Sequence, residues 1–187
     1  QGRHRILYLP AGTYRITRPL RYQPGVGHGY NTLLGAGRDK TILRLADRTF
    51  VQPGRPEPVL SLGFNGRPDG TGVHADWFNN NVAGLTIDTG RENPGAVGLE
   101  FYSNNVGSLR DVAIQSGDGQ GAIGLDLGYA DQNGPLLVQH VAIAGFAIGI
   151  RTGATVNSQT LEHVSITGAT VAGLENRGQC LSIRGLE

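Results

Sequence analysis

The chain has 187 residues, 30 of them glycine, one cysteine and a net charge of +1. That length suits one domain. The near-neutral balance lacks the basic footprint of a nucleic-acid surface, no apolar run approaches the roughly 18 residues of a membrane span, and a lone Cys180 excludes an internal disulfide.

In chain order, residues 6–20 read as strand, turn, strand: Ile6 to Leu9, then Pro10-Ala11-Gly12, then Thr13 to Ile16. Pro presets φ for such a turn and Gly supplies its permissive position. Two further strands, Thr32 to Gly37 and Thr41 to Leu45, flank the charged turn Arg38-Asp39-Lys40. Residues 47–58 carry Pro53, Pro56 and Pro58 and read as an exposed loop. Val59 to Leu62 returns to strand. Residues 64–81 form the longest irregular stretch and hold the single tryptophan, Trp77. Loops of that length tend to be functional or disordered.

From Asn81 onward the sequence repeats itself. Gly98, Gly124, Gly149 and Gly173 each sit in an apolar-Gly-apolar run. Between them recur Leu85-Thr86-Ile87, Val112-Ala113-Ile114, Val141-Ala142-Ile143 and Val164-Ser165-Ile166. Two independent strand motifs thus share a period of about 24–27 residues, which marks a repeat architecture. No window shows apolar residues at helical spacing, and the leucine-asparagine pattern of leucine-rich repeats is missing. The expectation is an all-β fold: a single-stranded right-handed parallel β-helix, or β-solenoid, forming one domain over residues 1–187. Leu85, Ile87, Val112, Ile114, Val141, Ile143, Val164 and Ile166 should point inward. Gly90, Gly117, Gly145 and Gly168 should take the corners. Cys180, next to Leu181-Ser182-Ile183, reads as a small buried hydrophobe. Neither end looks like the capping repeat that a solenoid needs, so truncation at the C-terminus is expected.

The run Tyr8-Leu9-Pro10-Ala11-Gly12-Thr13-Tyr14-Arg15-Ile16, followed by Leu34-Gly35-Ala36-Gly37-Arg38-Asp39-Lys40-Thr41-Ile42-Leu43, resembles the start of the pectate-lyase-like superfamily. Its members include glycoside-hydrolase family 55 and family 28-related proteins and phage tailspikes. The resemblance implies a right-handed parallel β-helix, a polysaccharide partner and an extracellular or cell-surface location. An aspartate-rich segment and helix usual at the start of such proteins is not present, which implies truncation at the N-terminus too, with the remainder of the same chain as a partner. The polygalacturonase-type motifs are also missing, so no catalytic residue carries over. Neither nucleic acid nor membrane is expected as a partner. No cofactor is assigned, with calcium reserved for the case of a lyase. Two function classes stay open: a glycoside hydrolase or polysaccharide lyase on a linear glycan, or a non-catalytic β-helix that binds carbohydrate or supports a larger enzyme.

Stacked coils place equivalent positions about 4.8 Å apart, so the repeat predicts columns of side chains. One column is Glu100, Asp126, Arg151 and Glu175, all outward. Carboxylates about 5 Å apart match a retaining glycosidase pair, which makes Glu100 and Asp126 the candidate catalytic residues. Repulsion between them raises one proton affinity. Arg151 on the far side of Asp126 favours its ionised form, leaving Glu100 as the acid and Asp126 as nucleophile or base. The alternative is a solvated ladder of charges, worth little. A second column, Asp111, His140 and His163, could bind a metal or could be three polar corner residues. For sugar stacking, Trp77, Tyr102 and Tyr129 are candidates, with Trp77 the best exposed of them; Arg151 joins them as a substrate-binding residue.

Overall fold

The structure, a computed structural model, describes residues 5–21, 29–63, 77–129, 132–154 and 157–187. The first strands are β1 (Arg5–Leu9), β2 (Gly12–Ile16), β3 (Leu20–Arg21), β4 (Asn31–Gly35), β5 (Thr41–Leu45) and β6 (Glu57–Leu62). The repeat region supplies β7 (Asn81–Asp88), β8 (Ala96–Phe101), β9 (Gly107–Gln115), β10 (Gly121–Leu127) and β11 (Leu136–Ala144). It continues with β12 (Phe146–Thr152), β13 (Gln159–Thr167), β14 (Ala172–Glu175) and β15 (Leu181–Leu186). They stack as a β-solenoid of about 5 turns with about 27 residues per turn.

Two parallel sheets result. One runs β1-β4-β7-β9-β11-β13-β15, with β2 and β5 joined to it through β7. The other runs β14-β12-β10-β8-β6-β3. In the first sheet, β4 pairs with the front half of β7 and β5 with its back half. Each long strand therefore bends at its middle. The bend falls at Gly84, Asp111, His140, His163 and Gly185, all with φ between 51° and 65°. Left-handed backbone is open to Gly and tolerated by Asp and His.

The repeated glycines and isoleucines turn out to meet. A Cβ built on Gly98 would overlap the Ile114 side chain, one on Gly124 would overlap Ile143, and one on Gly149 would overlap Ile166. The two sheets approach so closely there that only hydrogen fits opposite a β-branched side chain. This is why both series share one period. Leu85, Ile87, Val112, Ile114, Val141, Ile143 and Val164 are all buried in one continuous core. Ile166 is half-buried and packs against that core. Its N–H donates to the Glu187 carbonyl at 2.7 Å. At the corners, Gly90, Gly145 and Gly168 take positive φ.

Two expectations need correction, and one strand is new. Pro58 is a buried strand residue opposite Val97, not part of an exposed loop. β3 reaches only Leu60 and Ser61, so that end of β6 is unpaired on one side, where a residue without N–H is tolerated. The two-residue strand β3 was not anticipated; it is too short to show a pattern. Cys180 is exposed, because it lies just before β15 begins. Of the long irregular stretch, residues 64–76 lie outside the described residues.

Candidate functional site

The registers of the second sheet align Arg21 with Ser61, Ser61 with Glu100, Glu100 with Asp126, Asp126 with Arg151 and Arg151 with Glu175. One column therefore reads Arg-Ser-Glu-Asp-Arg-Glu, one residue per coil. Glu100 and Asp126 are neighbours in it, as the repeat predicts. Arg21 and Ser61 extend the column and were missed, although Leu60-Ser61-Leu62 aligns visibly with Leu99-Glu100-Phe101.

The two carboxylates sit in different surroundings. Asp126 is 3% exposed. Its Oδ1 accepts from the Gly128 N–H at 2.7 Å and from Arg151 Nε at 3.3 Å, and its Oδ2 accepts from Arg151 Nη2 at 2.5 Å. Charge-assisted, two-point pairing of this kind is the strong form of the interaction. Gly128 is part of the cradle: a Cβ there would stand 2.6 Å from Asp126 Oδ1. Glu100 keeps an opening to solvent, with 18% of its side chain exposed, and receives one guanidinium contact, from Arg21 at 3.3 Å. Burial pushes the Glu100 carboxyl above the usual range, and the Asp126 charge adds to it. The Ser61 hydrogen bond, Arg21 and Arg151 oppose that rise without cancelling it. Burial also works against the Arg151 charge, but Asp126 holds the guanidinium more strongly protonated than usual. Glu175, at the end of the column, is drawn off by Arg177 at 3.0 Å. With Asp126 almost fully buried, the column is not a solvated ladder at that position.

The aromatic candidates come together but not as an open platform. Trp77, Tyr102 and Tyr129 are all buried and form a small cluster apart from the main core. The tyrosine rings stack at 4.8 Å, and Trp77 Nε1 donates to the Tyr129 hydroxyl at 3.3 Å. Trp77, expected to be the most exposed, is 3% exposed. All three rings are buried, so none stands as an open platform. Tyr102 lies within electrostatic reach of the acid pair: burial raises its hydroxyl well above its ordinary proton affinity, and the charges of Glu100 and Asp126 contribute. Phe101 is an interior residue of the main core.

The second predicted column does form, at the left-handed bend. His140 and His163 stack at 5.3 Å with planes 28° apart, and Asp111 Oδ1 lies 3.6 Å from His140 Nδ1. Stacked rings hold their nitrogens side by side, one coil apart, instead of converging on one point. Among the described residues no group of three His, Cys, Asp or Glu is arranged to hold a metal ion. The column's positions are explained by the backbone of the bend.

A family described as rhamnogalacturonase A/epimerase, pectate lyase-like, matches residues 1–186. No curated protein matches the chain.

Proposed function

We propose that this chain, which belongs to the rhamnogalacturonase A/epimerase, pectate lyase-like family, is a secreted polysaccharide-active β-helix protein that cleaves a linear glycan at Glu100 and Asp126. The observation that carries this reading is their adjacency in one column with unequal environments. Neighbouring coils stand about 4.8 Å apart, close to the separation of a retaining glycosidase pair. Glu100, with its raised proton affinity, donates a proton to the glycosidic oxygen as that C–O bond breaks. Asp126, paired with Arg151, attacks the anomeric carbon. Glu100 then takes a proton from water as the water oxygen displaces Asp126. Arg151 orients the nucleophile. A polymeric substrate is met outside the cell, which supports the extracellular location.

A second reading, a non-catalytic glycan binder, is favoured by the arginine partner that each carboxylate already has. A panel of linear glycans, assayed for new reducing ends and for unsaturated products, separates the two. New reducing ends that fall by about 100-fold or more in Glu100→Gln and in Asp126→Asn, each variant being shown folded by its circular dichroism spectrum, support the hydrolase. Turnover retained in both variants overturns the site. Unsaturated products that need added calcium would move the chemistry to a lyase. Binding without any product supports the second reading.

A further inference from the structure

Among the described registers, full charges of like sign face each other at two places. One is Glu100 with Asp126. The other is Arg15 on β2 with Arg44 on β5. Like charges directly opposite in a ladder are destabilising. The acid pair is compensated from both sides, by Arg21 and Arg151. The arginine pair is not. Arg44 has one carboxylate contact, to Asp88 at 3.6 Å. That carboxylate is shared, since Asp88 also accepts from the Gly90 N–H and from Gln115 Nε2. Arg15 is exposed and makes no ion pair or side-chain hydrogen bond among the described residues.

The two side chains border a cleft of about 450 Å³, together with Thr13, Leu45, Ala46 and Asp47. Thr13 lies two residues before Arg15, so it shares the same face of β2 and adds a hydroxyl donor. Asp47 is the opposing charge in the cleft, and its Oδ1 is engaged by the Arg91 N–H at 2.9 Å. We propose that the Arg15–Arg44 pair is a binding site for a tetrahedral oxyanion, a sulfate or phosphate group, separate from the acid pair. A planar carboxylate saturates one guanidinium fork with its two oxygens. A tetrahedral oxyanion has acceptors left over for a second fork on the neighbouring strand and for the Thr13 hydroxyl. It also supplies negative charge to Arg15, whereas Asp88 stands opposite Arg44 on the next strand. The group arrives as an ester on a glycan or as the free ion.

The probe is inorganic sulfate, titrated calorimetrically into the protein with sodium chloride at matched ionic strength as the control. One sulfate per chain should bind. Arg15→Gln and Arg44→Gln should each weaken it by about tenfold or more, as expected for losing one charge-assisted contact. Arg15→Lys, which keeps the charge but loses the fork, should fall between. Glu100→Gln should bind sulfate like the wild type, so failure here is distinct from failure of the catalytic reading. Both glutamine variants change exposed side chains, and unchanged melting curves confirm that each is folded. Wild-type affinity in either, or equal heats from chloride, overturns the site. Galactose 6-sulfate run beside inorganic sulfate identifies the source: tighter binding of the ester supports a sulfated sugar, and weaker binding supports the free ion.

Discussion

The contact between the two repeat series can be tested at Gly124. Alanine there needs no unusual backbone, since Gly124 is not among the glycines with positive φ. In an ordinary strand position, replacing Gly by Ala gains about 0.4–1 kcal/mol. Here the added methyl overlaps the Ile143 side chain and would also stand 2.8 Å from the Gly149 carbonyl oxygen and 3.2 Å from Phe146 Cδ2. Overpacking of this kind costs about 1–3 kcal/mol, so the clash wins and Gly124→Ala destabilises. Ile143→Ala alone leaves a cavity and costs about 2–5 kcal/mol. In the double variant the new methyl enters space that Ile143 vacates. Its cost should fall below the sum of the two by about 1 kcal/mol or more. Part of the Gly124→Ala cost should persist, because the Gly149 carbonyl belongs to the backbone and cannot retreat. Urea unfolding of the four proteins, followed by circular dichroism, gives the coupling. Strict additivity, or a Gly124→Ala protein as stable as the wild type, refutes the interlocking of glycine with isoleucine.

Two further outcomes follow from the acid column. Arg151→Gln leaves the buried Asp126 carboxylate without its partner and should destabilise the fold by about 3–5 kcal/mol, whereas Asp126→Asn combined with Arg151→Gln should recover much of that loss; chemical denaturation of both at neutral pH decides it. The raised proton affinity of Glu100 means that folding favours its protonated form. That contribution is fully present below the unfolded carboxyl's range and is lost as pH rises through the folded value. Glu100→Gln cannot ionise, so its melting temperature relative to the wild type should become more favourable from pH 3 to pH 7, about four units spanning the carboxyl range; a difference that is constant or shrinks with pH would show that Glu100 is not held against ionisation.

Much of the architecture was readable from spacing alone. A coil of about 27 residues cannot bury its own apolar positions, so it must stack on copies of itself. Once it stacks, register follows from period, and register puts Glu100 beside Asp126 and Asp111 beside His140 without any knowledge of coordinates. What periodicity cannot carry is the direction and company of a side chain that does not repeat. Trp77 has no counterpart in other coils, so nothing in the sequence said whether its ring would face solvent or close on Tyr129. Arg21 lies on a strand of two residues, which has no alternation to read. It enters the column only because β3 docks on β6. The three-in-a-row bend residues could be read in the sequence as a metal column or as polar corners; their left-handed backbone and stacked rings are properties of the folded bend. The sequence by itself determined the solenoid, its inward face and the order of charges along the repeating part of each column, because these depend on period alone. Only the tertiary structure decided that Asp126 is buried against Arg151 while Glu100 keeps an edge to solvent, because burial and partner choice depend on which non-repeating segments pack over each coil.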